Sequence, residues 1–214
     1  MKITKVDLGH EIFANCYVLT DEASGESAIV DPAYYNDEIK QIFYDAGAKN
    51  IKYILLTHGH FDHIFGVAGL KEASGAKVVI HEKDAGHLLD SSKSLADNNF
   101  PEKQIPVVAD ITVNEGDKLY LGEEEITVMS TPGHTMGSVC YIIEKDRVII
   151  SGDTLFCMTA GRTDFFDGNE DMMIESLKRL IALEGDYSVL PGHNRDTTLE
   201  RERTRNWYIR RMVK

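Results

Sequence analysis

Residues 58–63 read His58-Gly59-His60-Phe61-Asp62-His63, three imidazoles and one carboxylate within six positions. With eight histidines and eighteen aspartates in 214 residues, random placement yields such an H-x-H-x-D-H string at a rate of roughly 1 in 1,000 chains. The string begins where the apolar run Ile51–Thr57 ends. That run is continuous and bounded by polar residues, so it reads as a strand buried on both faces, with a helix following from about Asp62 to Ala73. The junction of a buried strand and a helix is where α/β proteins put ligand sites. The fold must therefore contain a covered sheet whose strand ends hold polar loops rigidly.

Three more candidate ligands occupy the same kind of place. His134 lies in Thr131-Pro132-Gly133-His134 after the run Glu125–Ser130, Asp153 in Ser151-Gly152-Asp153 after Arg147–Ser151, and His193 in Pro191-Gly192-His193 after Tyr187–Leu190. A glycine precedes each, which lets the backbone turn sharply and approach a ligand closely. Seven side chains, His58, His60, Asp62, His63, His134, Asp153 and His193, then converge from four strand ends on one cleft. A four-coordinate catalytic zinc uses three protein ligands plus water, so five imidazoles and two carboxylates imply two divalent metal ions. Nitrogen and oxygen donors with no cysteine among them favour zinc, and iron or manganese suits the same set. A chance group of surface and helix-capping histidines does not account for this density. Nor does a non-catalytic metal-binding module, because a structural site is closed by four ligands. His10, His81 and His87 fall outside the set and read as structural or surface residues. Cys16 and Cys140 read as core thiols in strand-like runs, and Cys157, after the Asp153 loop, as a packing residue.

The remainder of the chain predicts a hairpin (Cys16–Thr20 and Ser27–Val30), a helix from Asn36 as N-cap to Gly47 as stop, and a strand at Lys77–His81. A polar stretch from Asp90 to Gln104 precedes a meander of Ile111–Asn114, Lys118–Leu121, Glu125–Ser130, Ser138–Ile143 and Arg147–Ser151. Helices from about Glu170 to Leu183 and Thr197 to Met212 close the chain, the last one docking Leu199, Trp207, Ile209 and Met212 on the core. Both halves run from strands to helices, the order of two sheets packed face to face with helices outside. With 43% hydrophobic and 27% charged residues and no interrupting linker, residues 1–214 read as one domain. The net charge of -12 repels phosphodiester backbones and excludes nucleic acid as a partner; only residues 195–214, with seven basic and three acidic side chains, are basic. No apolar run approaches the ~18 residues of a membrane span, the N-terminus lacks an apolar signal core, and three scattered cysteines give no disulfide framework. A cytoplasmic location is expected, with no membrane partner.

Taken together and in this order, the four motifs resemble those of the metallo-β-lactamase superfamily over nearly the whole chain. Within it the chain is most similar to the glyoxalase II group, in particular to short bacterial members without a separate C-terminal helical domain. Ser151-Gly152-Asp153-Thr154-Leu155-Phe156, Gly161-Arg162-Thr163-Asp164-Phe165, Pro191-Gly192-His193 and Thr197-Thr198-Leu199-Glu200-Arg201-Glu202 carry that similarity. The resemblance implies an α/β fold of αββα type, a four-layer sandwich. It implies His58, His60 and His134 on one metal, Asp62, His63 and His193 on a second, and Asp153 bridging, with Asp62 and Asp153 as the catalytic carboxylates. The superfamily's true β-lactamases generally lack such a bridging aspartate, which argues against β-lactam hydrolysis.

Two divalent ions bring the pKa of water to about 7 and polarise a carbonyl under attack. A thioester suits such a site, because a thiolate leaves with little general-acid help. The expected activity is hydrolysis of a small-molecule thioester such as S-lactoylglutathione. Arg162, nine residues after Asp153, is the candidate to hold a carboxylate of the thiol carrier bidentately. The competing oxidoreductase reading is a persulfide dioxygenase with one iron on the equivalents of His58, His134 and Asp153. That family has a similar Gly-Arg-Thr-Asp-Phe segment but resembles Pro-Ala-His where this chain has Pro191-Gly192-His193, so the hydrolase is preferred.

Overall fold

Alternation along buried strands sets the layers. The computed structural model describes residues 1–9, 14–99 and 101–213. Its first sheet holds, in spatial order, β1 (Lys2–Val6), β2 (Cys16–Thr20), β3 (Glu26–Val30), β4 (Asn50–Leu55), β5 (Lys77–His81) and β6 (Ile111–Val113). The second is built from β7 (Lys118–Leu121), β8 (Glu124–Ser130), β9 (Val139–Ile143) and β10 (Val148–Gly152), and after the small hairpin β11 (Leu155–Phe156) and β12 (Thr159–Ala160) it adds β13 (Ser188–Pro191) and β14 (Thr197–Thr198). Tyr17, Leu19, Ala28, Val30 and Leu55 point into the space between the sheets, where they meet Leu121, Ile126, Val128, Val139 and Tyr141. Their neighbours Val18, Ile29 and Ile54 face outward onto Ile39 and Phe43 of α1 (Asp37–Ala46) and Val67 and Leu70 of α3 (Val67–Ser74). On the other side Cys140, Ile142 and Ile149 pack under Met173, Leu177 and Leu180 of α5 (Glu170–Ile181) and Leu199 of α6 (Leu199–Arg205). The result is the expected αββα order, with helices outside both sheets, which is why β2, β3, β5, β9 and β10 are buried almost throughout.

Strand direction brings the candidate ligands to one edge. β3, β4 and β5 are parallel. β8 is antiparallel to β9, β9 to β10, and β10 is parallel to β13, so β8, β10 and β13 share a direction. No described helix is long and apolar enough to cross a membrane.

Several local expectations hold and several do not. α1 starts at Asn36, whose side chain accepts from the Ile39 N–H, and stops at Gly47 with φ 114°. The helix expected from Asp62 to Ala73 is two pieces, α2 (Phe61–Ile64) and α3. Between them the Gly66 N–H donates to Pro32 O at 2.8 Å, so close that a Cβ there would lie 2.5 Å from that oxygen. Ile111–Val113 is not part of a meander: it pairs in parallel with β5 at the edge of the first sheet. The polar stretch holds the short helix α4 (Ala96–Asn99), and β1 was not foreseen.

The last helix is also broken. Thr197–Thr198 is an edge strand, α6 ends at Asn206, and a π-helical turn follows over Ile209–Val213. The buried Asn206 side chain donates to Thr159 O (3.0 Å) and Glu202 Oε2 (2.8 Å) and accepts from the Tyr208 and Ile209 N–H groups. The phase of the helix is thereby reset: Leu199 and Ile209 are buried as expected, whereas Trp207 (54% exposed) and Met212 (38%) face outward. Asn206→Ala strands a buried carbonyl and two backbone donors, so urea unfolding should report a loss of about 1–3 kcal/mol.

Candidate metal centre

All seven predicted residues meet at the shared strand edge. The potential ligand atoms of these seven fall into three groups, His58–His60–His134, His58–His63–Asp153 and Asp62–His63–His193, with the atoms of each group within 4.8 Å of one another; a further group, Asp84–His87–Asp167, lies outside the seven. His60 Nδ1 lies 2.9 Å from His134 Nε2. His63 Nε2 is 3.4 Å from Asp153 Oδ1, His134 Nε2 is 3.6 Å from Asp153 Oδ2, and His193 Nε2 is 3.0 Å from Asp62 Oδ2 and 3.7 Å from Asp153 Oδ2. Asp153 thus stands between the two halves of the set, with Oδ1 toward His63 and Oδ2 toward both His134 and His193.

Hydrogen bonds behind the rings decide which nitrogen faces the cleft. His63 Nδ1 lies 2.9 Å from Asp31 Oδ2; a carboxylate only accepts, so Nδ1 carries a hydrogen and Nε2 is the atom that faces the cleft. Thr57 Oγ1 donates to the same Asp31 oxygen at 2.7 Å and can then accept from His58 Nδ1 at 3.2 Å. His134 Nδ1 donates to Arg162 O at 2.7 Å. Three imidazoles are in this way fixed with Nε2 toward the cleft, that of His134 against His60 Nδ1. His58 Nε2, His60 Nε2, His63 Nε2 and Asp153 Oδ1 are buried with no hydrogen-bond partner. Unpaired buried polar atoms are costly, and such a cluster of lone pairs is the donor set that a divalent cation satisfies.

The electrostatics point the same way. Burial, together with its neighbouring imidazoles, holds His58 well below the ordinary histidine range, and burial with His134 brings His60 down to about 3, so both are neutral donors. Burial also opposes charge on His63, yet Asp153, Asp31 and Asp62 outweigh it and hold a proton there well above the usual value. Burial likewise pushes Asp153 up, and His63, His134 and His193 overcome it to keep the carboxyl far below the carboxylate range. Three carboxylates around one imidazole are an excess of negative charge for which a metal cation can replace the proton.

Glycines set the clearances. A Cβ on Gly192 would overlap Asp153 Oδ1 and lie 2.8 Å from His63 Cε1, and one on Gly152, at φ +47°, would lie 2.5 Å from Thr57 Cβ. Above the ligands opens a cleft of about 520 Å³ walled by Phe61, Leu95, Phe156, Phe165, Asn99 and Asn194. Phe165 stands edge-on to His60 and His134. A hollow of similar volume between α1 and α3 is lined by none of the seven residues.

Arg162 lies on the cleft wall, but its Nε and Nη2 donate to Asp164 at 2.6 and 2.7 Å and its guanidinium covers the Phe165 ring. Among the residues set aside, His81 caps the Lys83 N–H and His87 pairs with Asp167 at 3.1 Å; His10 lies outside the described residues. Cys16 and Cys140 are buried, and Cys157 accepts from Arg195 Nε at 3.3 Å. Asp31 was missed, although it too follows an apolar strand, in Val30-Asp31-Pro32. Asp84, buried beneath the ligand loops, was missed as well.

The sequence profile of the metallo-beta-lactamase superfamily matches residues 11–193. A hydroxyacylglutathione hydrolase of Cereibacter sphaeroides is 35% identical over 179 residues, which are 83% of this chain and 61% of that protein; the chain spans less than two thirds of that relative's length. Among solved structures, the B3 metallo-beta-lactamase BLEG-1 has a TM-score of 0.89 at 29% identity, covering 97% of this chain and 99% of the other. TTHA1623, in a di-iron-bound form, has 0.84 at 29% identity (96% and 99%), and ETHE1 from Myxococcus xanthus has 0.78 at 27% (98% and 84%). Asp31→Asn replaces an acceptor of His63, so it should weaken metal retention by about 10- to 100-fold, read by chelator competition on purified protein.

Proposed function

Because the chain belongs to the metallo-beta-lactamase superfamily, we propose that it is a dinuclear metal-dependent hydrolase of small-molecule thioesters, of the kind S-lactoylglutathione represents. The observation that carries this reading is the space kept open at Gly192. Only a hydrogen fits between Asp153 Oδ1 and His63 Cε1; His63 belongs to the Asp62–His63–His193 group that would hold the second ion, and Asp153 Oδ1 lies 3.4 Å from its Nε2. An alanine there, as in the persulfide dioxygenases this chain otherwise resembles, would push the carboxylate and the imidazole apart. The free lone pairs on both sides of Asp153 suit two ions, with His58, His60 and His134 for one, Asp62, His63 and His193 for the other, and Asp153 between them. The likeness to hydroxyacylglutathione hydrolases supports the substrate class.

When bound, two divalent ions, zinc in this reading, supply a hydroxide at neutral pH and an electrophile for the carbonyl oxygen. The chain's own residues do the rest. Asp31, Thr57 and the Arg162 carbonyl hold three imidazoles in one tautomer, so no ring has to turn during the reaction. Phe61, Leu95, Phe156 and Phe165 exclude water from the acyl group and its sulfur. Arg162 can offer its fork to a carrier carboxylate by releasing Asp164, an exchange between exposed partners that costs little.

The direct test is an anaerobic assay of S-lactoylglutathione that follows release of free thiol. Undiminished turnover is expected, since hydrolysis consumes no oxygen, and a β-lactam offered in parallel should be spared. Negligible thioester turnover with oxygen uptake on glutathione persulfide would instead establish the dioxygenase, and β-lactam turnover alone would establish a β-lactamase. Gly192→Ala should bind about one ion per chain in place of two and lose thioester turnover, by metal analysis and the same assay; an alanine variant that keeps both ions removes the argument from clearance. Arg162→Ala should raise KM for S-lactoylglutathione about threefold to fivefold at unchanged kcat, while a small neutral thioester responds little.

A further inference from the structure

Asp84 is fully buried in the 3₁₀ helix Glu82–Leu88, outside the seven-residue set. Among the described residues no lysine or arginine forms an ion pair with it; His87 Nδ1 lies 4.0 Å away. Its oxygens are instead filled by three donors from two loops. The Gly59 N–H donates to Oδ2 at 3.0 Å, Thr135 Oγ1 donates to Oδ2 at 2.7 Å, and the Gly137 N–H donates to Oδ1 at 2.7 Å. Gly59 stands between His58 and His60, while Thr135 follows His134 directly. The first loop leaves β4 in one sheet and the second joins β8 to β9 in the other. A buried carboxylate without a cation is poor value for stability alone, because desolvation opposes it.

The backbone is shaped around this contact. A Cβ on Gly137 would overlap Asp84 Oδ1 and lie 2.6 Å from its Cγ, and one on Gly59 would run into the His87 side chain. Thr135 Oγ1 is further fixed by Ser138 Oγ at 2.8 Å. The same 3₁₀ helix reaches a third segment through His87 and Asp167.

We propose that Asp84 is a positioning residue of the metal centre, a clamp that sets the distance between the loop of His58 and His60 and the loop of His134. It acts on the all-imidazole group alone, whereas Asp31 reaches His63 of the other group directly and His58 through Thr57. The inference rests on reading the seven residues as a metal site. Asparagine at position 84 keeps one acceptor oxygen and turns an amide donor toward another donor, so the two loops separate and the trio loses its geometry.

The test uses the full chain, stripped of metal and reloaded with ¹¹³Cd²⁺, with chelator competition for affinities and cadmium NMR to separate the imidazole-rich site from the carboxylate-rich one. In Asp84→Asn the imidazole-rich site should weaken about 10- to 100-fold, with the other site near its wild-type affinity. Asp31→Asn should weaken both sites, because the Asp31 carboxylate holds His63 directly and His58 through Thr57. Thr135→Val, which keeps the carboxylate and removes one of its donors, should weaken the same site as Asp84→Asn by less, and it carries the test if Asp84→Asn does not fold. Wild-type affinities at both sites in Asp84→Asn and in Thr135→Val, with only a lower melting temperature of the metal-free protein, overturn the clamp and leave the metal reading intact. A wild-type chain that takes up no cadmium overturns the metal reading and the clamp with it.

Discussion

The bond between Asp31 and His63, 2.9 Å long and wholly buried, fixes more of this molecule than any other contact. Asp31 sits at the end of β3 with φ 50°, a conformation that non-glycine residues adopt only where the surroundings enforce it. From there it accepts from the Thr57 N–H and Thr57 Oγ1 as well as from His63. It joins the ends of two parallel strands, fixes the tautomer of one imidazole directly and a second through Thr57, and adds negative charge behind the ligands. The remaining imidazoles and carboxylates are arranged on the platform that this aspartate holds.

The seven-residue constellation was legible because chemistry and punctuation coincide in the sequence: each ligand lies in a loop that follows an apolar run, and four of them directly follow a glycine whose clearance the packing uses. The layer order was legible for a similar reason, since unbroken apolar strands with amphipathic helices between them can only be buried on both faces. What escaped was set by contacts between distant segments. Gly66 breaks a helix because the chain at Pro32 passes against it, and Asn206 breaks another because it reaches Thr159; local periodicity carries neither fact. Val6 is the only fully buried residue of β1, so that strand leaves almost no alternation to read. The parallel partner of β6 lies 32 residues upstream (Val79 opposite Ile111), beyond any hairpin signal. Asp84 looks like any polar residue of a loop until the two sheets are packed and its donors arrive from residues 59, 135 and 137.

The proposed chemistry rests on clearance, because the ligand types leave the choice open. The same imidazoles and carboxylates can serve hydrolysis or oxygen chemistry, and the neighbours in structure include proteins named for a β-lactamase, a di-iron form and ETHE1. What separates the readings here is the hydrogen of Gly192 against Asp153 and His63, together with the placement of Asp153 between both groups. The cleft wall adds apolar surface suited to an acyl group, and its single guanidinium is already paired with Asp164.

The central claim is that Asp153 joins two ions in one centre. Anomalous diffraction at the metal edge, from crystals of the protein grown with its native metal, tests it most directly. The account predicts two anomalous peaks, one against His58, His60 and His134 and one against Asp62, His63 and His193, each within coordination distance of an Asp153 oxygen. A single peak on His58, His134 and Asp153, with the opposite side of Asp153 empty, would contradict it.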